Sequence, residues 1–192
     1  MLKSVDLEKA VKASKELFES LNLSVLEETP LRFVKMLRDM TAYNNISNNE
    51  IADMVNKIFP LNSKAHSKNV VIVKNIDAFS MCEHHIALMY DMKISVAYIP
   101  TEFVLGLSKI VRMVDMVCKR LQLQERISSD IMEIMKILTK TEDVAVMIKA
   151  KHSCVTARGI NNVSSETITT SFSGKFESDV NARIEFLNSI DK

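Results

Sequence analysis

The order of hydrophobic patterns after residue 69 most constrains the fold of this 192-residue chain. Two stretches rich in β-branched or alternating apolar residues predict strands, and two stretches of helical periodicity follow them. Two more strand patterns and a last helix complete the chain. These patterns lie at Val70–Val73, at Ile94–Tyr98, from Ser108, from about Ser128, at Val144–Ala150, at Thr167–Phe176 and at about Asp179–Ile190. The order strand, strand, helix, helix, strand, strand predicts an α+β fold.

The first sixty residues have a different, helical pattern. Apolar spacing predicts a first helix from about Asp6 to Leu21, and Thr29-Pro30 predicts a cap followed by proline at the start of a second. A third helix is expected from Asn48 to Phe59, ending at Pro60, and a polar connection follows over residues 61–68. We therefore divide the chain into an N-terminal helical region, 1–62, and a C-terminal domain, 63–192, that form one functional unit.

Charge and targeting signals narrow the class of protein. The 25 basic and 24 acidic residues leave a formal charge of +1, which provides no overall attraction to nucleic acid or to an anionic membrane. Neither a signal peptide nor an apolar run of membrane-spanning length is present in the sequence. We expect a cytoplasmic protein without a nucleic-acid or membrane partner, whose three cysteines are free thiols or metal ligands.

Two short motifs combine cysteine with histidine. Cys82 and His85 form a C-x-x-H pair in a predicted loop, and His152 and Cys154 form H-x-C at the end of the third predicted strand. Thiolate and imidazole are the ligands that zinc favours, and three protein ligands leave one position for a water whose pKa falls toward neutrality. The alternative is that these cysteines are inert core residues. Cys118 fits that alternative, because it lies on the apolar stripe of a predicted helix.

Four candidate ligands exceed what an open zinc site needs. Adjacent side chains in an extended loop point in opposite directions, so His84 and His85 are not expected to share the metal. The H-x-C spacing by itself does not separate His152 from Cys154. One division places Cys82, His85 and Cys154 on zinc and leaves His84 and His152 for proton transfer, since histidine titrates near neutral pH.

A second group of residues suits an anionic ligand. Gly106 precedes a predicted helix start, where free N–H groups attract anions, and Ser108, Lys109 and Arg112 follow it. Arg158 can add a guanidinium. The alternative is that Ser108 is an ordinary helix cap beside a solvated basic face.

Residues at the junction of the two predicted central helices suit a purine base. Gln124 and Glu125 lie there, and a carboxylate accepts hydrogen bonds from the N1–H and 2-amino group of a guanine. Glu125 can equally be a surface or cap charge.

Taken together, these segments closely resemble the GTP cyclohydrolase I family (type IA, zinc-dependent). The matches run in the family's order from about residue 28 to 187. They are Glu28-Thr29-Pro30 with Arg32 and Lys35; Cys82-Glu83-His84-His85; Ala97-Tyr98-Ile99-Pro100; Gly106-Leu107-Ser108-Lys109 with Arg112; Arg120 to Arg126; His152-Ser153-Cys154 with Ala157-Arg158-Gly159; and Glu185-Phe186-Leu187.

The resemblance implies a role for each matched residue. It implies Cys82, His85 and Cys154 as zinc ligands and His84 and His152 as catalytic proton carriers. Gln124 and Glu125 would hold the guanine edge. The triphosphate would be held, in part across subunits, by Arg32, Lys35, Ser108, Lys109, Arg112 and Arg158.

The resemblance also implies a fold, an assembly and a reaction. The fold is the tunnelling fold, a ββααββ antiparallel sheet with a helix pair that closes into a barrel only on oligomerising, in a homodecamer of two stacked pentamers. Zinc-bound water would attack C8 of GTP while His152 protonates N7. Formate release and rearrangement would then give 7,8-dihydroneopterin triphosphate, the first step of pterin and folate biosynthesis, without a redox cofactor.

Two departures from the family pattern leave alternatives open. Residues 86–93 contain no glycine and are one residue longer than usual, and Asp143 stands near a place where glycine is common. We expect a reshaped hairpin with the chemistry retained. The alternatives are a related tunnelling-fold enzyme acting on another purine or pterin, and a non-catalytic nucleotide-binding subunit.

Overall fold

The computed structural model describes residues 6–61 and 69–190. The predicted boundary between residues 62 and 63, and most of the predicted connection 61–68, lie outside the described residues. The described residues form helices and strands in the following order: α1 Leu7–Ser20, α2 Thr29–Met40, α3 Asn48–Val55, β1 Ile58–Pro60, β2 Val71–Cys82, β3 Ala87–Tyr98, β4 Phe103–Leu105, α4 Leu107–Cys118, β5 Leu121–Gln122, α5 Gln124–Thr139, β6 Val144–His152, α6 Ser153–Thr156, β7 Thr167–Phe172, α7 Lys175–Ser178 and α8 Val180–Ile190.

The first two helices form a hairpin whose local chemistry agrees with the sequence. The Asp6 carboxylate caps α1 by accepting a hydrogen bond from the Lys9 N–H at 3.0 Å. The rings of Phe18 on α1 and Phe33 on α2 meet edge to face, with centroids 5.4 Å apart. Helix α2 begins at Thr29, as predicted, with proline in its first turn.

The third helix is shorter than predicted. It begins at Asn48 as expected, but it ends at Val55, and the extension to Phe59 is wrong. Residues Ile58–Pro60 instead form β1, which pairs antiparallel with β4. This pairing involves residues more than forty positions away in the chain, and hydrophobic periodicity contains no information about such a partner.

The main sheet confirms the α+β prediction. Its five strands lie in the order β5-β2-β3-β6-β7, in which β5 is parallel to β2 and all other neighbours are antiparallel. Strands β2 and β3 have 12 residues each and are much longer than their predicted cores. Their polar residues interrupt the apolar pattern, because the face away from the helices is only partly covered.

The helix pair α4 and α5 packs on one face of this sheet and encloses the main core. Cys118 belongs to that core at 1% exposure, which confirms its predicted place, and burial raises the pKa of its thiol far above the ordinary value. A smaller apolar cluster containing Phe176 and Phe186 covers part of the opposite face. Among the helices of residues 6–61 and 69–190, none combines the length and apolar character needed to cross a membrane.

Two further element boundaries differ from the prediction. Helix α5 begins at Gln124 and not near Ser128, so Gln124 and Glu125 belong to its first turn. Strand β7 ends at Phe172 and does not reach Phe176, because Gly174 adopts a left-handed backbone with φ 56° that turns the chain into α7.

The glycine-free segment 86–93 forms an irregular hairpin. The β3–β6 register shifts between Tyr90 and Lys93, which marks a bulge. Asp91, within the bulge, has φ 50°, a conformation that aspartate tolerates better than most residues. Ile86 also has φ 50°, which is a strained value for a β-branched residue.

Candidate metal centre and substrate site

The β2–β3 hairpin positions the first thiol. Cys82 is the last residue of β2 and is buried, and the four-residue turn from Glu83 to Ile86 leads into β3. The Cys82 Sγ lies 3.9 Å from Nδ1 of His84. The end of a long, doubly paired strand therefore holds this cysteine at the root of a short turn.

A helical turn at the end of β6 positions the second thiol. The strand ends at His152, and Cys154 lies in the single helical turn α6. Of the predicted H-x-C strand end, only the histidine therefore belongs to the strand. The Ser153 hydroxyl donates to the Leu88 carbonyl at 2.8 Å, and the Tyr90 hydroxyl donates to the Thr156 hydroxyl at 3.0 Å. These bonds attach the turn to β3.

The pairing of β3 with β6 brings the two motifs together. Met89 lies opposite His152 in the register. As a result, the Sγ atoms of Cys82 and Cys154 and a ring nitrogen of His152 all lie within 4.8 Å of one another. Two ligands of a tetrahedral zinc are about 3.5 to 3.8 Å apart, so a small adjustment closes this group around an ion. The two thiols and the imidazole are a donor set that fits zinc.

The two histidines of the hairpin turn lie at the edge of this group. His84 and His85 are exposed, and their ring centroids are 6.4 Å apart at an angle of 80°. The group within 4.8 Å contains His152 and does not contain His85. The metal role of His85 and the proton-carrier roles of His84 and His152 stay predictions.

Burial and neighbouring charge shape the titration of the group. Burial raises the pKa of the Cys154 thiol, the nearby Cys82 adds to that increase, and Arg158 opposes it. Burial lowers the pKa of His152, while the Glu125 carboxylate acts in the opposite direction. The charges of Glu125 and Arg158 therefore act on residues of the metal group, and their contacts with a substrate stay predictions.

The start of α5 contacts the same group directly. Gln124 is buried, and its Oε1 lies 2.7 Å from His152 Nε2. Glu125, the next residue, is exposed. The sequence placed both residues at a helix junction, but it provided no sign of the bond between Gln124 and His152.

A bidentate ion pair joins the metal-binding turn to the start of α5. Arg126 Nη1 and Nη2 donate to the two carboxylate oxygens of Glu83 at 2.7 and 2.9 Å. The Glu83 N–H donates to the Gln122 carbonyl at 3.0 Å, which continues the pairing of β5 with β2. The arginine holds the pKa of the Glu83 carboxyl below its usual value. Sequence reasoning missed this pair, although opposite charges within two matched motifs were a usable signal.

The predicted triphosphate residues occupy three places, of which the first is the exposed Arg158 just after α6 and the other two are on α4 and α2. Gly106 is the N-cap of α4, and no side chain caps this helix start, so Ser108 is not its N-cap. Ser108 and Arg112 are exposed and Lys109 is partly exposed on α4. Arg32 and Lys35 are exposed on α2, where Arg32 pairs with Glu28 at 2.7 Å. Their joint role in anion binding stays a prediction.

Comparison with known proteins shows which sequences this chain is similar to. A family model described as GTP cyclohydrolase I matches residues 8–191. GTP cyclohydrolase 1 of Ruminiclostridium cellulolyticum is 53% identical over 158 residues, which are 81% of each chain. The proteins of the same name from Clostridium acetobutylicum and from Clostridium botulinum strain Hall are 48% and 49% identical, each over 80% of both chains.

Proposed function

The chain belongs to the GTP cyclohydrolase I family, and we propose from this membership that it is the enzyme that opens the imidazole ring of GTP. The reaction hydrolyses GTP at C8, releases C8 as formate and rearranges the remainder to 7,8-dihydroneopterin triphosphate, the first step of pterin and folate biosynthesis. The observation that carries the proposal is the convergence of two thiols and an imidazole beside the start of α5.

Zinc is the metal we assign to this group. Cys82 and Cys154 would supply two thiolates, and either His85 or His152 would supply the imidazole. When bound, zinc supplies Lewis-acid chemistry that makes water nucleophilic near neutral pH. The pKa of Cys154 is raised in the metal-free protein, so its proton leaves when the ion binds.

The histidines beside the thiols would carry the protons. His152 is partly buried next to Glu125, whose charge opposes the effect of burial on the imidazole pKa. Burial has the larger effect, so the pKa of His152 lies below its ordinary value. An imidazole is the side chain whose chemistry suits protonation of the purine N7. His84 is exposed 3.9 Å from the Cys82 sulfur and would serve as the second proton carrier.

The substrate would lie between the start of α5 of one chain and the start of α4 of a neighbouring chain. Within one chain the two helix starts lie toward opposite ends of β3. The N–H of Leu105, just before α4, donates to the Tyr98 hydroxyl at one end, whereas His152, which contacts the start of α5, pairs near the other end. The free N–H groups of the α4 start suit a phosphate, and Ser108, Lys109 and Arg112 add a hydroxyl and two positive charges. Arg158 beside Cys154, together with Arg32 and Lys35, would complete the triphosphate contacts, in part across subunits. The exposed Glu125 carboxylate would accept hydrogen bonds from the guanine edge, and Gln124 is the second residue that the resemblance places there.

We further propose that residues 63–192 are a tunnelling-fold catalytic domain, that residues 1–62 are an N-terminal helical region, and that the protein is a homodecamer of two stacked pentamers. An open sheet with β7 at its edge suits closure by neighbouring copies. The α1–α2 hairpin exposes large apolar side chains, which an assembled interface would cover. These side chains are Leu17, Leu21, Leu23, Leu26, Leu31 and Met36.

A metal and product assay with matched cysteine variants tests the function. Zinc-loaded protein supplied with GTP should release formate and a pterin that fluoresces after oxidation. Cys154→Ala should lose bound zinc and turnover, while Cys118→Ala should keep its metal content, because Cys118 lies in the apolar core. Metal-replete wild type that forms no product, or Cys154→Ala that keeps both metal and turnover, would refute the proposal.

Two further measurements address the finer assignments. Metal content of His85→Ala and His152→Ala decides which imidazole is the third ligand, because loss of that ligand alone should lower zinc affinity strongly. Light scattering on the purified protein determines the number of chains, and a stable, fully active monomer would contradict the decamer.

A further inference from the structure

The side chain of Gln124 is held in one orientation by the protein itself. It is 1% exposed, and its Nε2 contacts the carbonyl oxygens of Ile148 at 3.2 Å and Thr167 at 3.0 Å. The Thr169 hydroxyl lies 3.3 Å from the same nitrogen. Backbone carbonyls only accept hydrogen bonds, so the amide nitrogen must face them. The amide oxygen therefore has only one direction in which to point.

The orientation of the Gln124 amide determines which ring nitrogen of His152 carries the hydrogen. The Gln124 Oε1 lies 2.7 Å from His152 Nε2, and an amide oxygen can only accept. A lone pair on Nε2 would face the lone pairs of this oxygen at the same distance. The nitrogen Nε2 must therefore carry a hydrogen, and in the neutral ring the lone pair must be on Nδ1.

We propose that Gln124 is a positioning residue that holds His152 as the Nε2–H tautomer and makes Nδ1 its reactive nitrogen. The inference rests on the proposed function in that His152 serves the reaction, as a proton carrier or as a ligand. It differs from the contact with guanine that the family resemblance implies for Gln124. If Gln124 contacts guanine, its loss should weaken GTP binding. If Gln124 positions His152, its loss should instead leave the imidazole without a fixed tautomer and orientation.

The surrounding elements explain why such control is effective. Gln124 is in the first turn of α5, while Ile148 and His152 are on β6 and Thr167 is on β7. The amide joins the helix to two paired strands and, through them, sets the direction of the ring. A neutral imidazole without this partner exists as a mixture of tautomers, of which only one presents a lone pair at Nδ1.

Spectroscopy of the resting protein tests the proposal directly. Metal-free wild type labelled with ¹⁵N and ¹³C at its four histidines is studied by solid-state NMR with the imidazoles in the neutral form. The His152 resonances are assigned by their loss in His152→Gln. We expect a single Nε2–H tautomer at His152 in wild type and a tautomer mixture in Gln124→Met. An Nδ1–H tautomer in wild type, or an unchanged Nε2–H tautomer in Gln124→Met, overturns the proposal.

A comparison of binding with turnover separates the two roles of Gln124. Gln124→Met should lower turnover at saturating GTP by about 10- to 100-fold, the usual cost of losing an outer partner of a metal-site histidine. The GTP dissociation constant of its metal-free form should stay within about twofold of wild type, whereas that of Glu125→Gln should rise. Thr169→Val, which removes a neighbour of the amide without touching His152, should leave turnover near wild type.

The remaining outcomes are decisive as well. Weaker GTP binding with full turnover at saturation, or no change in either quantity, overturns the positioning role. If both quantities change, the NMR tautomer decides. Failure of wild type to release formate counts against the proposed function, while the tautomer is measured without GTP and is judged separately.

Discussion

Replacing Arg120 with methionine should destabilise the fold, because it removes the counter-ion of a nearly buried carboxylate. Arg120 is 8% exposed. Its guanidinium donates to Asp130 Oδ2 at 3.0 Å, to Asn48 Oδ1 at 2.9 Å and to the Ile46 carbonyl at 2.7 Å. These bonds join the chain segment before α3, the start of α3 and helix α5.

The size of the effect follows from what remains after the change. Removing one partner of a buried ion pair costs about 3–5 kcal/mol. The Asp130 side chain is 16% exposed, and it retains hydrogen bonds from Asn48 Nδ2 at 3.1 Å and Gln122 Nε2 at 2.9 Å. The lower end, about 3 kcal/mol, therefore applies to Arg120→Met. For a chain of this length that loss lowers the Tm by about 6–12 °C.

Thermal unfolding followed by circular dichroism measures this loss. Wild type and variant are compared at one protein concentration, because association contributes to apparent stability. Arg120→Met combined with Asp130→Asn should recover part of the loss, since the stranded charge is then removed while an acceptor remains. A Tm decrease of less than about 2 °C, or a double variant no more stable than Arg120→Met, would show that this buried pair does not stabilise the fold.

Three further predictions concern the backbone and the helix caps. Ile86→Asn should raise the Tm by a few degrees, because asparagine adopts the positive φ of residue 86 with less strain; an unchanged or lower Tm would contradict this. Gly174→Ala should cost at least about 2 kcal/mol in urea denaturation, because φ is 56° and the added Cβ would lie 2.6 Å from the Glu142 carbonyl oxygen; near-wild-type stability would be the contrary result. Hydrogen bonds from Ser47 hold the pKa of Glu50 below its ordinary value of 4.5. The ionised Glu50 carboxylate therefore contributes fully to folding stability above pH 4.5, and this contribution is lost as the pH falls through the lower pKa of the folded protein. The Tm difference between wild type and Glu50→Gln should therefore be present at neutral pH and should shrink as the pH falls below 4.5, and a difference that stays constant in acid would refute the assignment.

The sequence and the structure agree best where chemistry and local patterning act together. Helical spacing and caps located α1, α2 and the start of α3 within a residue or two. Cys118 on an apolar stripe was separated correctly from Cys82 and Cys154, because only the latter two occur beside histidines at predicted strand ends. The prediction is wrong where the secondary structure depends on a segment far away in the chain. Residues Ile58–Pro60 form a strand because they pair with β4.

The linear chain by itself determined the succession of most helices and strands and indicated the candidate residues for metal, proton and phosphate, since both depend on neighbours a few positions apart. Tertiary structure decided which of these side chains meet. The register of β3 with β6 brings His152 and Cys154 to Cys82, and a buried amide on α5 selects the nitrogen of His152 that carries its hydrogen. The physical reason is that distances and hydrogen-bond directions between remote segments arise only when the sheet closes and the core excludes water.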